Sequence, residues 1–290
     1  MIGKYKLTRF YCFLSAFFLV SGFLASAQGK TLALAPKIPT GECITVNGRP
    51  IYLEQFGKGR PLVLLHGGLA TIQSSFNRQI IAFSKHHHVI AIEQTGHGHT
   101  PDTDSPFSYR QMADDTVGVL HVLKVRDADI VGWSDGGILA LLIALHHPTL
   151  VHRLVVSGAN TELVGMDLEE SKKIQESSAK ELAQDTSPVE KEAYGRISPD
   201  GPEHWPVVVK KAWNLWLTPV VIDKADLSRI QSPVLVVCGD NDVIPLNHTL
   251  EIFRSLPKSQ LLVLPGTGHD TFNEAAATLN PIILAFLDSP

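Results

Sequence analysis

The residues Gly132-Trp133-Ser134-Asp135-Gly136-Gly137 join a short apolar run to a longer apolar helical pattern, and this junction indicates the fold. A G-x-S-x-G sequence between a strand and a helix is typical of a sharp turn that exposes the serine. The glycines allow close backbone approach, and the free N–H groups of the helix favour negative charge nearby. We predict Ser134 as a nucleophile and the Asp135 backbone N–H as an oxyanion donor. The alternative is a chance pattern in which the serine only shapes a turn.

Short apolar runs bounded by glycine and proline alternate with helical patterns along the rest of the chain. This alternation predicts an α/β fold with a mostly parallel central sheet and helices on both faces. Continuous runs of Val, Ile and Leu suit strands that are covered on both faces. The predicted strands cover residues 49–54, 61–65, 88–93, 129–132, 151–156, 233–238 and 260–264, and the predicted helices include residues 109–123 and 136–147.

Residues from about 161 to 228 interrupt the alternation. A charged segment there precedes an aromatic one that contains Trp205, Trp213 and Trp216. Because the sheet pattern resumes at residue 233, we predict a helical lid inserted into a single domain of residues 28–290. The tryptophans predict an apolar, aromatic wall for the substrate, with Trp213 as the expected contact. The alternative for some of them is a place in the core of the lid.

A serine nucleophile needs a base to take its proton, and the base needs a carboxylate to orient it. Asp242 follows the predicted strand at 233–238, and His269 follows the strand at 260–264. The chain order is then serine, acid, histidine, with each residue at the carboxyl end of a strand. We predict that Asp242 and His269 complete a catalytic triad. Asp240 is the competing acid, but its place near the strand end suits it to cap the turn.

The turn at His66-Gly67-Gly68 follows the predicted strand at 61–65, where a second oxyanion donor is expected. We predict the Gly68 backbone N–H as this donor, with Leu69 as the alternative donor and as a substrate contact. His66 itself is expected to bond the backbone of its loop, because the triad order requires a histidine after the serine and the acid.

The other titratable residues near these turns are expected to be structural. Consecutive side chains at residues 86–88, all histidine, diverge and lead into a strand. His97 lies in a Gly-His-Gly-His turn and could bond a backbone group across the site. A zinc-binding role for His97 is not expected, because the sequence lacks further clustered ligands. Asp270 is adjacent to the predicted base. We therefore predict no metal and no cofactor.

The composition describes an ordinary globular chain: 290 residues, 44% hydrophobic, 19% charged and a net charge of -4. Without a basic surplus to neutralise phosphates, nucleic acid is excluded as an expected partner. A small-molecule substrate is the expectation, with a monomer as the default state. Cys43 and Cys238 are the cysteines outside the first 27 residues, too few for a disulfide scaffold.

The N-terminal segment has the order of a signal peptide. Three basic residues precede an apolar run over residues 10–24, and Ala25-Ser26-Ala27 suits cleavage before Gln28. We exclude residues 1–27 from the fold and predict a secreted or periplasmic protein. The alternative is an uncleaved membrane anchor, since the run approaches the roughly 18 residues of a membrane-spanning helix.

With these parts in place, the chain resembles the α/β-hydrolase superfamily from about residue 44 to residue 287. The stretch from residue 132 to residue 137 is similar, more narrowly, to that of valacyclovir hydrolase and its biphenyl-hydrolase-like relatives, which cleave α-amino-acid esters. In that group the acid after the nucleophile helps to bind the substrate's ammonium. The resemblance implies this role for Asp135; the alternative is that Asp135 only braces the turn.

One segment departs from the superfamily pattern. Residues 93–100 resemble its Asp-x-Arg-Gly-His-Gly-x-Ser segment, but Glu93, Thr95 and Thr100 replace the Asp, Arg and Ser. This puts the contacts of that loop in doubt and leaves the predicted triad unaffected.

The expected function is a carboxylesterase-like serine hydrolase that cleaves a small-molecule ester through an acyl-enzyme. Within the same superfamily, an enol-lactone or carbon–carbon bond hydrolase is the main alternative and a perhydrolase a weaker one. The serine at position 134 excludes the dehalogenase and epoxide-hydrolase branches, which resemble this fold but use an aspartate there. A non-catalytic binding protein on the same scaffold is a further alternative, against which the complete triad argues.

Overall fold

A computed structural model describes residues 41–162, 188–218 and 222–289. The predicted signal peptide (residues 1–27) and residues 163–187 of the predicted lid lie outside these ranges. Within the described ranges there is no helix with the length and apolarity that crossing a bilayer requires.

The described residues form one eight-stranded sheet. Its strands are β1 (Glu42–Val46), β2 (Arg49–Phe56), β3 (Arg60–Leu65), β4 (His87–Ile92), β5 (Ala128–Trp133), β6 (Val151–Ser157), β7 (Val234–Gly239) and β8 (Ser259–Leu264). Their order in the sheet is β1-β2-β4-β3-β5-β6-β7-β8. β2 pairs antiparallel with β1 and β4, and all other neighbours are parallel. The predicted fold, an α/β hydrolase with a mostly parallel sheet, is confirmed.

Helices connect the strands. They are α1 (Ile72–Phe83), α2 (Tyr109–Val122), α3 (Asp135–His146), α4 (Pro188–Gly195), α5 (Trp205–Leu217), α6 (Lys224–Arg229), α7 (Leu246–Ser255), α8 (Thr271–Glu274) and α9 (Ala276–Leu287). α3, apolar on nearly every side, packs against β3, β5 and β6. This burial explains why its sequence shows no polar face and fixes the position of its first residue, Asp135.

The strand predictions agree with the structure to within two residues at each end, but β1 was not predicted. β1 and β2 form a hairpin around Asn47 and Gly48, which both have positive φ, 50° and 78°. Asn-Gly is the preferred pair for a two-residue hairpin turn, because both positions require a left-handed backbone. The sequence therefore did contain the signal for this edge strand.

The loop after β4 closes on the side chain of Glu93, which lies just beyond the strand that was predicted to include it. Its carboxylate accepts hydrogen bonds from the backbone N–H of Ile72, at 3.2 Å, and of His99, at 2.6 Å. Thr100 donates its hydroxyl to the Glu93 carbonyl at 2.8 Å. The residues that depart from the superfamily pattern thus hold the loop through contacts of their own.

The insertion between β6 and β7 is anchored to the β4–α2 loop by a buried acid. The Asp102 Oδ2 atom accepts hydrogen bonds from Lys211 Nζ at 2.7 Å and from His204 Nε2 at 2.8 Å. The Asp102 backbone N–H donates to Asp200 Oδ2 at 2.7 Å. These contacts fix α5, whose last turn carries Trp216, against the main body of the protein.

Candidate active site

The turn at Ser134 has the strained geometry that its sequence predicts. Ser134 lies between β5 and α3 with φ 53° and ψ -118°, a region that residues with a Cβ rarely adopt. A Cβ added at Gly132 would lie 2.1 Å from the Gly136 carbonyl oxygen, so glycine is required at 132. The Ser134 N–H donates to the Ser157 carbonyl at 2.8 Å, which ties the turn to the end of β6.

The three predicted triad residues lie together. His269 Nε2 is 2.9 Å from Ser134 Oγ, and His269 Nδ1 is 2.6 Å from Asp242 Oδ1. The His269 and Asp242 side chains are almost fully buried, with 6% and 1% exposure. This arrangement can pass the serine proton to the imidazole while the carboxylate stabilises the imidazolium that forms.

Two neighbouring residues, whose roles were not predicted, set the position of His269. The indole N–H of Trp133 donates to the His269 carbonyl oxygen at 2.8 Å. Gly158, with φ 61°, lies so close that a Cβ there would be 2.7 Å from His269 Cε1. The Gly-Trp-Ser order and the glycine at the end of β6 were the available signals for both contacts.

The acid is held by its own turn. The Ile244 N–H donates to Asp242 Oδ1 at 2.9 Å, and within the described residues Asp242 Oδ2 has no hydrogen-bond partner. Asp240, the competing acid, accepts instead from the Thr267 N–H at 3.2 Å. It therefore has the turn-capping position expected of it, and the structure brings Asp242 to the base.

His66 and Asp270 have the structural roles that were predicted for them. His66 Nδ1 is 2.7 Å from the Gly67 carbonyl, and the Gln94 N–H donates to His66 Nε2 at 3.0 Å. Burial lowers the pKa of His66 to about 4, so the ring is neutral. Asp270 caps α8 through the Asn273 N–H at 3.4 Å.

His97 differs from the expectation. It bonds the carbonyl of Thr95 in its own loop, at 3.0 Å, and not a backbone group across the site. The reason is the tight turn after β4, which brings the Thr95 carbonyl within reach of the ring. Burial lowers the pKa of His97, and the ring packs between those of His66 and Phe107, with centroids 5.1 Å and 5.4 Å away.

The predicted oxyanion loop lies against the turn that carries the serine. A Cβ added at Gly67 would come within 3.3 Å of Ser134 Cβ. At Gly68 it would lie 2.5 Å from both Asp135 Oδ2 and Trp216 Cζ2. Leu69 is half-buried and has φ 55°. Gly68, Leu69 and Asp135 therefore lie in the neighbourhood predicted for them, and their roles remain predictions.

Asp135 is the one ionisable side chain of the α3 N-terminus, and two neutral donors hold it. The Tyr109 hydroxyl donates to Oδ1 at 2.7 Å, and the Trp216 indole N–H lies 2.9 Å from Oδ2 and 3.1 Å from Oδ1. Burial raises the pKa of the Asp135 carboxyl, and the hydrogen bonds from Trp216 and Tyr109 oppose that rise. Neither donor could be assigned from sequence, because they come from α2 and from the insertion.

The three tryptophans of the insertion have different surroundings. Trp205 packs on Tyr194, with ring centroids 5.3 Å apart. Trp213 is nearly buried, and its ring meets that of Trp216 edge-on at 5.5 Å. Trp216 donates its indole N–H to Asp135. The role of Trp213 as a substrate contact stays a prediction.

One group of described residues brings possible metal ligands together: Glu162, His248 and Glu251, whose ligand atoms lie within 4.8 Å of one another. The Thr161 N–H donates to His248 Nε2 at 3.0 Å, so in the neutral ring Nδ1, the atom nearer Glu162, carries the proton. This hydrogen bond disfavours metal binding there. The prediction of no metal remains untested.

Comparisons with known proteins agree with this geometry. Residues 62–281 match the model of the "Alpha/beta hydrolase family". The chain is 28% identical over 297 residues to human "Serine hydrolase BPHL", covering 99% of each chain. It is also 28% identical to "2-hydroxymuconate semialdehyde hydrolase" of Pseudomonas sp. (strain CF600), covering 85% of this chain and 93% of that protein.

Among solved structures, Est816, described as "an N-Acyl homoserine lactone degrading enzyme", superposes with a TM-score of 0.68 at 27% identity, covering 84% of this chain and 99% of that one. The resemblance to the biphenyl-hydrolase-like group that the sequence suggested is confirmed by the similarity to the human protein. The sheet order, the strained turn at Ser134 and the family match lead to one conclusion: this chain is a hydrolase that belongs to the alpha/beta hydrolase family.

Proposed function

We propose that the protein is a serine esterase that cleaves small-molecule carboxylic esters. The observation that carries the proposal is the position of His269, hydrogen-bonded to Ser134 on one side and to the buried Asp242 on the other, at 2.9 Å and 2.6 Å. A serine within bonding distance of a base that is itself oriented by a carboxylate is the arrangement of an activated nucleophile.

The proposed reaction has two steps. His269 Nε2 takes the proton of Ser134 Oγ as the oxygen attacks the ester carbonyl, and the imidazolium then gives this proton to the leaving alcohol. The acyl group is left on Ser134. In the second step His269 takes a proton from water as the water oxygen attacks the acyl carbonyl. The imidazolium then returns this proton to Ser134 Oγ as the bond to the acyl group breaks and the carboxylic acid is released. The backbone N–H groups of Gly68 and Asp135 stabilise the oxyanion in both steps, each contributing about 3 to 4 kcal/mol to the lowering of the barrier.

We further propose that the preferred acyl group carries an α-ammonium, which Asp135 binds. In support, the Asp135 carboxylate lies directly against Gly68. A charge there repels the developing oxyanion: two unit charges about 6 Å apart interact by about 3 kcal/mol at an effective dielectric constant of about 20. A cationic substrate group offsets this repulsion, whereas a neutral acyl group leaves it uncompensated. Asp135 thus favours esters with a cationic acyl group and disfavours esters with a neutral acyl group.

The test compares p-nitrophenyl esters of valine and of isovaleric acid, which differ only in the α-ammonium. We expect a higher kcat/KM for the valine ester. Asp135→Asn should lower that value by about 30-fold or more, the usual result of truncating a buried charge pair, and should raise kcat/KM for the isovaleryl ester. Equal effects of Asp135→Asn on the two esters would contradict ammonium binding and leave a general carboxylesterase.

The similarity to 2-hydroxymuconate semialdehyde hydrolase favours a second candidate, a hydrolase of carbon–carbon bonds or enol-lactones. The same triad can serve either reaction, so the residues at 134, 242 and 269 do not discriminate between them. Turnover of 2-hydroxymuconate semialdehyde or of an enol-lactone, with no turnover of either p-nitrophenyl ester, would favour this candidate over the esterase.

We also propose that the protein acts outside the cytoplasm. The support is the sequence of residues 1–27 alone, with its basic start, apolar run and Ala25-Ser26-Ala27 end. N-terminal sequencing of the protein recovered from its native host tests the proposal. A mature chain that begins at Gln28 supports export with cleavage, and a chain that retains Met1 contradicts the cleavage.

A further inference from the structure

The Asp135 carboxylate has two hydrogen-bond donors of different origin. Tyr109 begins α2 and is buried, with 6% exposure, so its hydroxyl is part of the fixed body of the protein. Trp216 belongs to the last turn of α5 in the insertion. Both donors are uncharged at neutral pH, and no Lys or Arg is among the hydrogen-bond or ion-pair partners of Asp135 within the described residues.

Two neutral donors have a different effect from a cationic partner. A hydrogen bond to a carboxylate stabilises its charged form against burial. An Arg or Lys partner would do so too, but it would cancel the charge that a substrate ammonium needs. Tyr109 and Trp216 therefore keep the full negative charge of Asp135 available for a cation while fixing the orientation of its two oxygens.

The position of Trp216 links this effect to the insertion. Its ring edge lies against Gly68, where an added Cβ would be 2.5 Å from Trp216 Cζ2. Upstream in the same helix, Lys211 is bonded to the buried Asp102. The insertion is thus held in the place that brings an indole N–H to Asp135.

We propose that Tyr109 and Trp216 are positioning residues for substrate specificity, which hold the Asp135 carboxylate ionised and oriented as the acceptor for a cationic acyl group. This inference rests on the proposed function of Asp135. It assigns the selectivity for a cationic substrate to a three-residue unit that exists only when the insertion is in place, and it separates that selectivity from the triad.

The test measures KM and kcat of purified Tyr109→Phe and Trp216→Phe on the valine and isovaleryl p-nitrophenyl esters. Each substitution removes one donor and keeps an aromatic ring. We expect KM for the valine ester to rise about tenfold, as for a lost hydrogen bond to a charged group, with kcat changed less than about threefold. Kinetic constants for the isovaleryl ester should stay near those of the wild type.

The pH profile supplies a readout that a purely structural role would not change. Without a donor, the Asp135 carboxyl should protonate at higher pH than in the wild type. As the pH is lowered, the variants should therefore lose the preference for the valine ester at a higher pH than the wild type does. The imidazoles of His97 and His269 also face Asp135. They and the substrate amine are the same in the wild type and in every variant, so the comparison isolates the effect of the lost donor.

Trp205→Phe is the matched control. It is the same substitution in the same helix, and within the described residues the Trp205 indole N–H has no hydrogen-bond partner. We expect it to leave the preference and its pH profile at wild-type values. Failure of Asp135→Asn to abolish the preference would count against the proposed function. Loss of the preference in Asp135→Asn but not in Tyr109→Phe and Trp216→Phe would overturn the present inference alone, as would equal increases of KM for both esters.

Discussion

Asp242 Oδ1 lies 2.6 Å from His269 Nδ1, in a part of the molecule where both side chains are almost fully buried. Two turns, one after β7 and one after β8, provide these residues. Asp240, the acid two positions nearer the end of β7, has a different role. Its Oδ1 accepts a hydrogen bond from the Thr267 N–H and so joins the two turns to each other.

This difference gives a direct comparison of the two acids. Asp242→Asn should lower kcat by about 10⁴-fold, because an amide holds the imidazole in the wrong tautomer. Asp240→Asn keeps an oxygen acceptor for the Thr267 N–H, so its kcat should stay within about tenfold of the wild-type value, the upper bound for the loss of one neutral hydrogen bond. Both variants are measured on p-nitrophenyl acetate. Similar losses in the two would contradict the assignment of the acid.

The strained backbone at Ser134 predicts that a residue with a Cβ lowers the stability of the fold at this position, although the serine is needed for activity. Because φ is 53° and ψ is -118°, a glycine fits the turn with less strain than any residue with a Cβ. Ser134→Gly should unfold with a free energy about 1 kcal/mol higher than Ser134→Ala, and both should lack turnover. Urea unfolding of the two variants measures the difference. If Ser134→Ala proved the more stable, the turn would not be strained.

Gly158 should matter for catalysis because its lack of a side chain leaves room for the His269 imidazole. An alanine there places its Cβ 2.7 Å from His269 Cε1, so the imidazole must move, and a shift of about 1 Å in a catalytic group can cost about 100-fold in rate. We expect kcat of Gly158→Ala to fall by that order on p-nitrophenyl acetate.

Gly48→Ala is its control, since Gly48 has a similar positive φ of 78° and nothing within 4 Å of an added Cβ. It should lose about 1 kcal/mol of stability and no activity. Equal activity in Gly158→Ala and Gly48→Ala would mean that Gly158 does not position the base.

Because His66 is buried and neutral, the free energy of unfolding should fall as the pH is lowered. Burial holds its folded-state pKa at about 4, below the unfolded value of about 6.5. Between these values the unfolded chain binds a proton that the folded chain does not. The contribution of a neutral His66 is therefore complete above about pH 6.5 and is lost toward about pH 4, by at most about 1.4 kcal/mol per pH unit.

The variant His66→Gln keeps an acceptor for the Gln94 N–H and does not titrate. It should be less stable than the wild type at neutral pH, and the gap in unfolding free energy should narrow as the pH falls from about 6.5 to about 5. Urea unfolding at three pH values measures this gap. A gap that stays constant would show that His66 does not remain neutral in the folded protein over this pH range.

The sequence was sufficient to predict the sheet and to identify the three residues that the structure brings together at positions 134, 242 and 269, because both predictions depend on local patterns. Apolar runs marked seven of the eight strands, and Ser134, Asp242 and His269 each follow one of them. The edge strand β1 was missed although Asn47 and Gly48 signal its hairpin. The donors to Asp135 were beyond sequence reasoning, since α2 and α5 reach that carboxylate only through tertiary packing. The bond between Trp216 and Asp135 was beyond sequence reasoning for the same reason, because the position of the insertion's helix depends on the contacts of Asp102 and Lys211.

Ser134 is the proposed nucleophile of this hydrolase, and a serine-directed fluorophosphonate tests this role. The protein is treated with the reagent, the modified residue is located by peptide mass analysis, and turnover of p-nitrophenyl acetate is followed in the same sample. We predict one modified residue, Ser134, with activity lost in proportion to the modification and no reaction in Ser134→Ala. Full turnover after complete modification of Ser134, or wild-type turnover by Ser134→Ala, would show that Ser134 is not the nucleophile.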